Sequence, residues 1–185
     1  MAVSKFNLLK RASKLLASKF KLNEELIMAT TVIINAQSEM QKKVVYALLR
    51  LTHSYAFPNG NSGYDRSELK AHEQALTPHG VNFKRVQSGN AHIPATIEAS
   101  FAEKANIPAI KQYILSLLRE RVENNKNDWW FDAQNVLRNL EIGEKSHRLS
   151  RIIGDYMFDA EDFDLKSPFY QQKRDEFLSV LDTLS

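Results

Sequence analysis

An all-α domain is the fold class this sequence predicts, and three observations point to it. Apolar residues recur at spacings of three and four through most of the 185 residues. Helix-start signals stand ahead of several of these segments: Ser38 with Gln41, Asp65 with Glu68, and Ser167 before Pro168. No regular alternation of strand-like and helical segments suggests a parallel sheet. The expectation is a single-domain, orthogonal or bundle-like array of seven or eight helices, with room for one short β-hairpin near 81–97.

The first element is the stretch Ser4 to Lys21, SKFNLLKRASKLLASKFK. At about 100° per residue, Phe6, Leu9, Leu16 and Phe20 fall on one side. The basic residues are Lys5, Lys10, Arg11, Lys14, Lys19 and Lys21, with no acid among them. This reads as a basic amphipathic helix, an arm over residues 1–22 ahead of a helical domain over 23–185. Asn23 then caps a segment with Glu24 and Glu25 in its first turn, where the helix dipole favours negative charge. Leu26 to Ile34 is apolar nearly all round and predicts a helix buried at the centre of the core.

The run from Met40 to Phe57 follows, as a separate helix or as a continuation after a kink near Asn35. Pro58 to Gly63 ends it. Asp65 opens a mainly polar surface helix to about Leu76. Val81, Phe83 and Val86, facing Ile93 and Ile97 across Ser88-Gly89-Asn90, suggest the hairpin, with an irregular loop as the alternative. Pro94 would confine the second arm to a sheet edge. Short helical character at Ala99 to Ala105 precedes a strong helix from Pro108 to about Glu123. Three more helices are expected: one carrying Trp129 to Leu140 and stopping at Gly143, one over Ser146 to Asp159, and one opened by Ser167-Pro168.

Composition excludes several functions. There is no cysteine, hence no disulfide, thiolate-bound metal, iron–sulfur cluster or thiol nucleophile. That suits a reducing compartment, and a cytoplasmic location is expected. The longest apolar run is about half of the ~20 residues a membrane-spanning helix needs. Lysines interrupt the N-terminal apolar positions, which leaves no secretory signal core; a transit peptide is the nearer match. The six glycines form neither a P-loop nor GxGxxG, and neither HExxH nor Gly-x-Ser-x-Gly occurs. His72 and His79 are two helical turns apart, but His79 lies beyond Pro78, too far to share one metal ion. No metal, cofactor or small-molecule substrate is expected.

Charge is polarised. The net charge is +3, yet residues 1–22 alone carry six bases, and residues 155–164 (Asp155, Asp159, Glu161, Asp162, Asp164) carry five acids and no base. The basic arm therefore has three readings: a helix docked on the body, a contact to another copy or a polyanion such as nucleic acid, and an interfacial membrane helix. Lys84 and Arg85 at the hairpin are further candidates for phosphate contact. Trp129, Trp130 and Phe131 are consecutive and diverge by about 100° on a helix, so not all can face inward. Either two enter the core and one covers a neighbouring helix, or Trp129 and Trp130 anchor a protein partner.

The carboxylates offer an enzymatic alternative. Glu141-x-x-Glu144 and Glu161-x-x-Asp164 resemble the spacing by which all-α nucleotide pyrophosphohydrolases hold magnesium. That resemblance implies oxygen ligands from two facing helices over a phosphate chain. Gly143 breaks the first motif, and Asp164 stands close to Ser167-Pro168, where the second helix has ended. The preferred expectation is a non-enzymatic interaction or assembly protein contacting an acidic partner, another copy or a polyanion. A nucleic-acid-binding protein is the alternative, and the magnesium-dependent hydrolase comes third.

Overall fold

Thr30-Thr31-Val32-Ile33-Ile34 is an unbroken run of β-branched residues, which lose rotamer freedom in a helix and pack well on a pleated surface. It forms a strand, and that strand overturns the all-α expectation. The structure is a computed structural model describing residues 29–57, 60, 62–90, 93–124, 129–159 and 168–184. Among these are five strands: β1 (Ala29–Asn35), β2 (Ser54–Ala56), β3 (Ser62–Asp65), β4 (Val81–Gln87) and β5 (Ala95–Phe101). The helices are α1 (Glu39–Leu51), α2 (Arg66–Leu76), α3 (Ile107–Glu123), α4 (Trp129–Leu140), α5 (Glu144–Asp159) and α6 (Pro168–Asp182), with a 3₁₀ turn at Thr77–His79. The fold is α/β. The amphipathic segment 4–21 and the boundary between residues 22 and 23 lie outside the described residues.

The strands make one mixed sheet in the order β2-β3-β1-β5-β4. β1 runs parallel to β5, with Thr30 opposite Ala95 and Asn35 opposite Ser100, and antiparallel to β3. A helix over Leu26 to Ile34 was expected because an all-round apolar run has no period. A short apolar strand looks the same by that criterion; β1 is central in the sheet and packs Val32 and Ile34 against the core, while Ile33 is 48% exposed on the other face.

The run to Phe57 is also corrected. α1 stops at Leu51, and the chain turns into β2, which pairs antiparallel with β3. Gly63 permits this pairing to sit tightly, since a Cβ there would lie 2.9 Å from both Ala29 Cβ and Phe57 Cε2. The expected hairpin corresponds to the antiparallel pair of β4 and β5, but β5 continues to Phe101 and replaces the short helix expected at 99–105. β5 is not an edge strand: Pro94 precedes it, and β1 and β4 flank it. Pro94 thus removes no ladder hydrogen bond from the strand itself.

Capping follows the sequence signals, with a twist. Ser38 Oγ accepts from Gln41 N at 3.2 Å, while Gln41 reaches back one residue further, to Gln37 N. Asp65 accepts from Ser67 N and Glu68 N at 2.8 and 2.9 Å. Glu68 does not close the box on Asp65; it accepts from His53 N at 2.8 Å and ties α2 to the start of β2.

Strand residues alternate between two faces. Val32, Ile34, Ile97, Ala99, Phe101, Val81 and Phe83 face the helices and join the core of Leu48, Ile114, Leu118, Val136 and Leu140. The other face carries Thr31, Ile33, Asn35, Thr96, Glu98, Asn82 and Lys84, and Asn35 Nδ2 donates to Glu98 across it at 3.1 Å. Trp129 and Trp130 are core residues, 1% and 5% exposed, and Phe131 is the outward member at 44%. Trp129 Nε1 donates to Tyr170 at 2.6 Å, and its ring packs on Phe177, so α4 is keyed to α6.

Two polar clusters lock the helices together. Asp132 on α4 is 9% exposed and bonds Arg50 of α1 at 2.7 Å and Arg121 of α3 at 2.5 Å; Arg121 also donates to Leu51 O at 2.8 Å. His72 on α2 is buried between Thr52 and Tyr113, at 3.1 and 2.9 Å from their hydroxyls. Thr52 gives its proton to Leu48 O, so it accepts from His72 Nε2, and Nδ1 is left to accept from Tyr113. Burial holds the His72 imidazole below the usual histidine range, against an opposing pull from Glu68.

A candidate anion-binding cleft

β4 and α2 are joined by only the 3₁₀ turn, which lays α2 beside the sheet and leaves a cleft of about 270 Å³ between them. Its floor is the helix-facing side of the sheet: Thr30, Ala95, Ile97 and Phe83. Leu69 closes it from α2. The rim is charged. Arg66, Lys70 and Glu73 recur at i, i+4 and i+7 on one face of α2, and Arg85 stands opposite on β4.

The register orders these groups along the cleft. Arg66 follows Asp65, which pairs with Ala29; the neighbouring Thr30 pairs with Ala95. Arg85 is opposite Ile97, near that same end, and Phe83 is opposite Ala99, one pleat further on. Glu73 lies two helical turns past Arg66, toward the Phe83 end. The cleft therefore carries Arg66, Arg85 and Ile97 toward one end, its mouth, and Phe83 and Glu73 toward the other, inner end, with Lys70 between the two.

None of the three cations hydrogen-bonds or ion-pairs with another described residue. The amides at the start of α2 are already taken by Asp65, so an anion at the mouth would be held by side chains. Two other clefts lie along α3 against the end of α6, of about 320 and 200 Å³. There Gln112 donates to Leu184 O at 2.6 Å, and Arg119 is paired with Glu123 and Asp182, so their principal polar groups are engaged.

The sequence-derived candidates are distributed unevenly. Of Lys84 and Arg85, only Arg85 lines the cleft; Lys84 points to the opposite side of the sheet, across from Glu98. Consecutive strand residues must diverge in this way. Asp155 is paired with Lys173 at 3.7 Å. Asp159 closes α5, and Glu161, Asp162 and Asp164 lie outside the described residues, as do Lys5, Lys10, Arg11, Lys14, Lys19, Lys21, Phe6, Leu9, Leu16 and Phe20. Arg66, Lys70 and Glu73 belong to the segment expected as a mainly polar surface helix. Their i, i+4, i+7 spacing was visible, but nothing in it showed that a strand would face them.

The pyrophosphohydrolase resemblance finds a different setting. The domain contains a five-stranded sheet, Glu141 sits at a positive φ of 49°, and its carboxylate is paired with Lys43. That hydrogen bond holds the Glu141 carboxyl below its ordinary value. Among the described residues no three His, Asp or Glu side chains are grouped to share a metal ion, and no helix is long and apolar enough to cross a membrane. Compared with known proteins, the chain matches no family model, no curated protein and no solved structure.

Proposed function

We propose that this chain is a non-enzymatic nucleic-acid-binding protein whose cleft between α2 and β4 receives one nucleotide of a strand. The observation that supports this reading most directly is the set of three cations, Arg66, Lys70 and Arg85, lining one cleft over an apolar floor with no carboxylate paired to them among the described residues. Phosphate oxygens would meet the cations, and the flat face of a base would lie on Phe83 and Ile97; base–aromatic contact is the usual platform for an unpaired strand. A cytoplasmic location belongs to the same proposal and accords with the absence of cysteine.

The test is fluorescence anisotropy with a labelled single-stranded decanucleotide and the full chain. Affinity should fall steeply with salt, and Arg66→Glu, Lys70→Glu and Arg85→Glu should each weaken binding about tenfold or more. Lys84→Glu, one residue from Arg85 but on the other side of the sheet, should change it little. Equal losses at 84 and 85, or no loss at either, would refute the cleft as the binding site.

A second reading rests on the polarity of the sequence. The six bases of residues 1–22 and the five acids of residues 155–164 suit head-to-tail contact between copies, the assembly role expected from the sequence. Under that reading, oligomers seen by light scattering at low salt vanish when residues 1–21 are deleted. A protein monomeric at every salt concentration would end it.

A further inference from the structure

The cleft holds one acid among its three cations. Glu73 is half-buried, shares the lining with Phe83, and pairs with neither Lys70, three residues before it, nor any other described residue. A carboxylate repels phosphate, so a site built for phosphate alone gains nothing from it. Its place is informative: it stands at the inner end, two helical turns or roughly 10 Å of helix rise from Arg66 at the mouth. That separation is comparable to the length of one nucleotide, from its phosphate to the far edge of its base.

An ionised carboxylate is an acceptor only, with two oxygens side by side. Among the bases, guanine presents two adjacent donors on its pairing edge, the ring N1–H and the exocyclic N2 amine. Adenine and cytosine present a single amine beside a ring acceptor, which a carboxylate would repel. Thymine and uracil present one N–H between two carbonyl oxygens. We infer that Glu73 makes this cleft selective for an unpaired guanine, whose phosphate lies toward Arg66, Lys70 and Arg85 and whose N1–H and N2 amine both donate to Glu73. The inference rests on the cleft being the nucleotide site proposed above. The base must be unpaired, because its pairing edge is the edge that is read.

The experiment uses the full chain and thymine decanucleotides carrying one central guanine, inosine, adenine or cytosine, compared with the unsubstituted oligomer. The guanine oligomer should bind about tenfold more tightly than the rest, as a bidentate base contact provides. Inosine lacks the N2 amine and should lose most of that advantage. Glu73→Gln and Glu73→Ala should abolish the preference while leaving the unsubstituted oligomer bound at least as well, since a negative charge has gone from a cationic site. Two separate variants guard against a folding artefact, and retention of thymine-oligomer binding shows that the site is intact. Equal affinity for all oligomers overturns the guanine inference and leaves phosphate binding standing. A guanine preference that survives in both variants also overturns it. No binding of any oligomer refutes the proposed function, and the guanine inference with it.

Discussion

Replacing Asp132 by alanine removes the anion on which α1, α3 and α4 converge. Its carboxylate bonds Arg50 at 2.7 Å and Arg121 at 2.5 Å, with side-chain exposures of 9% for the acid, 47% for Arg50 and 22% for Arg121. The two halves are unequal. Arg50 is nearly half in water, so its bond belongs with surface ion pairs, up to about 1 kcal/mol. Arg121 is more enclosed, and a charge-assisted bond there contributes about 1.5–3 kcal/mol. Asp132→Ala should therefore cost about 3 kcal/mol, at the lower limit of the roughly 3–5 kcal/mol for fully buried pairs because Arg121 keeps its bond to Leu51 O and Arg50 can turn to solvent. For a chain of this size that is about 6–12 °C in Tm. Urea denaturation followed by circular dichroism reads it. A double-mutant cycle should assign most of the coupling to Arg121 and little to Arg50. A loss under about 1 kcal/mol, or coupling mainly to Arg50, would refute this account of the clamp. The double replacement Arg121→Met with Asp132→Leu should regain part of the loss, since an apolar pair leaves no unpaired charge.

Three further outcomes follow from local geometry. The lowered folded-state pKa of His72 means that the unfolded chain binds this proton more readily, so its contribution to stability is complete above pH 6.5 and is lost as pH falls below that toward the lowered value. Denaturation midpoints measured across this window should decline with acid in the wild type and decline less in His72→Gln; identical slopes would contradict it. Gly63→Ala should destabilise by about 1–3 kcal/mol, because the new methyl meets Ala29 and Phe57 at 2.9 Å, and an unchanged midpoint would show that β3 can move aside. Asp65→Ala should cost about 1 kcal/mol through loss of the cap on α2, and a variant as stable as the parent would show that its amides find other partners.

The helical part of the molecule was legible because its signals are local. Pro108 in the first turn of α3, the divergence of Trp129, Trp130 and Phe131 around α4, and Pro168 at the head of α6 need no knowledge of what lies across the core. The sheet was not, apart from β4 and β5, because strands depend on partners distant in sequence. β1 shows no alternation in its apolar residues, and β2 has only three residues, too few for a pattern. The β-branched run at 30–34 is the local signal that favours a strand, and continuity of hydrophobicity alone does not separate it from a buried helix. The cleft was half legible. Arg85 was singled out for its charge, together with Lys84, but telling the two apart requires the strand's pleat, and finding Arg66 and Lys70 requires the order β1-β5-β4.

α2 carries the cleft's wall on one side and His72 on the other. With Thr52 and Tyr113 holding that imidazole by both nitrogens, and Asp65 and Glu68 fastening the first turn, the helix is restrained against rolling about its own axis. A roll of a single residue step, about 100°, would carry Lys70 and Glu73 out of the cleft altogether. The inner face of α2 thus preorganises the outer one, and a ligand entering the cleft meets a wall whose backbone needs no ordering. Only the ends of the arginine and lysine side chains remain to be immobilised, a cost of about 0.5–1.5 kcal/mol for each.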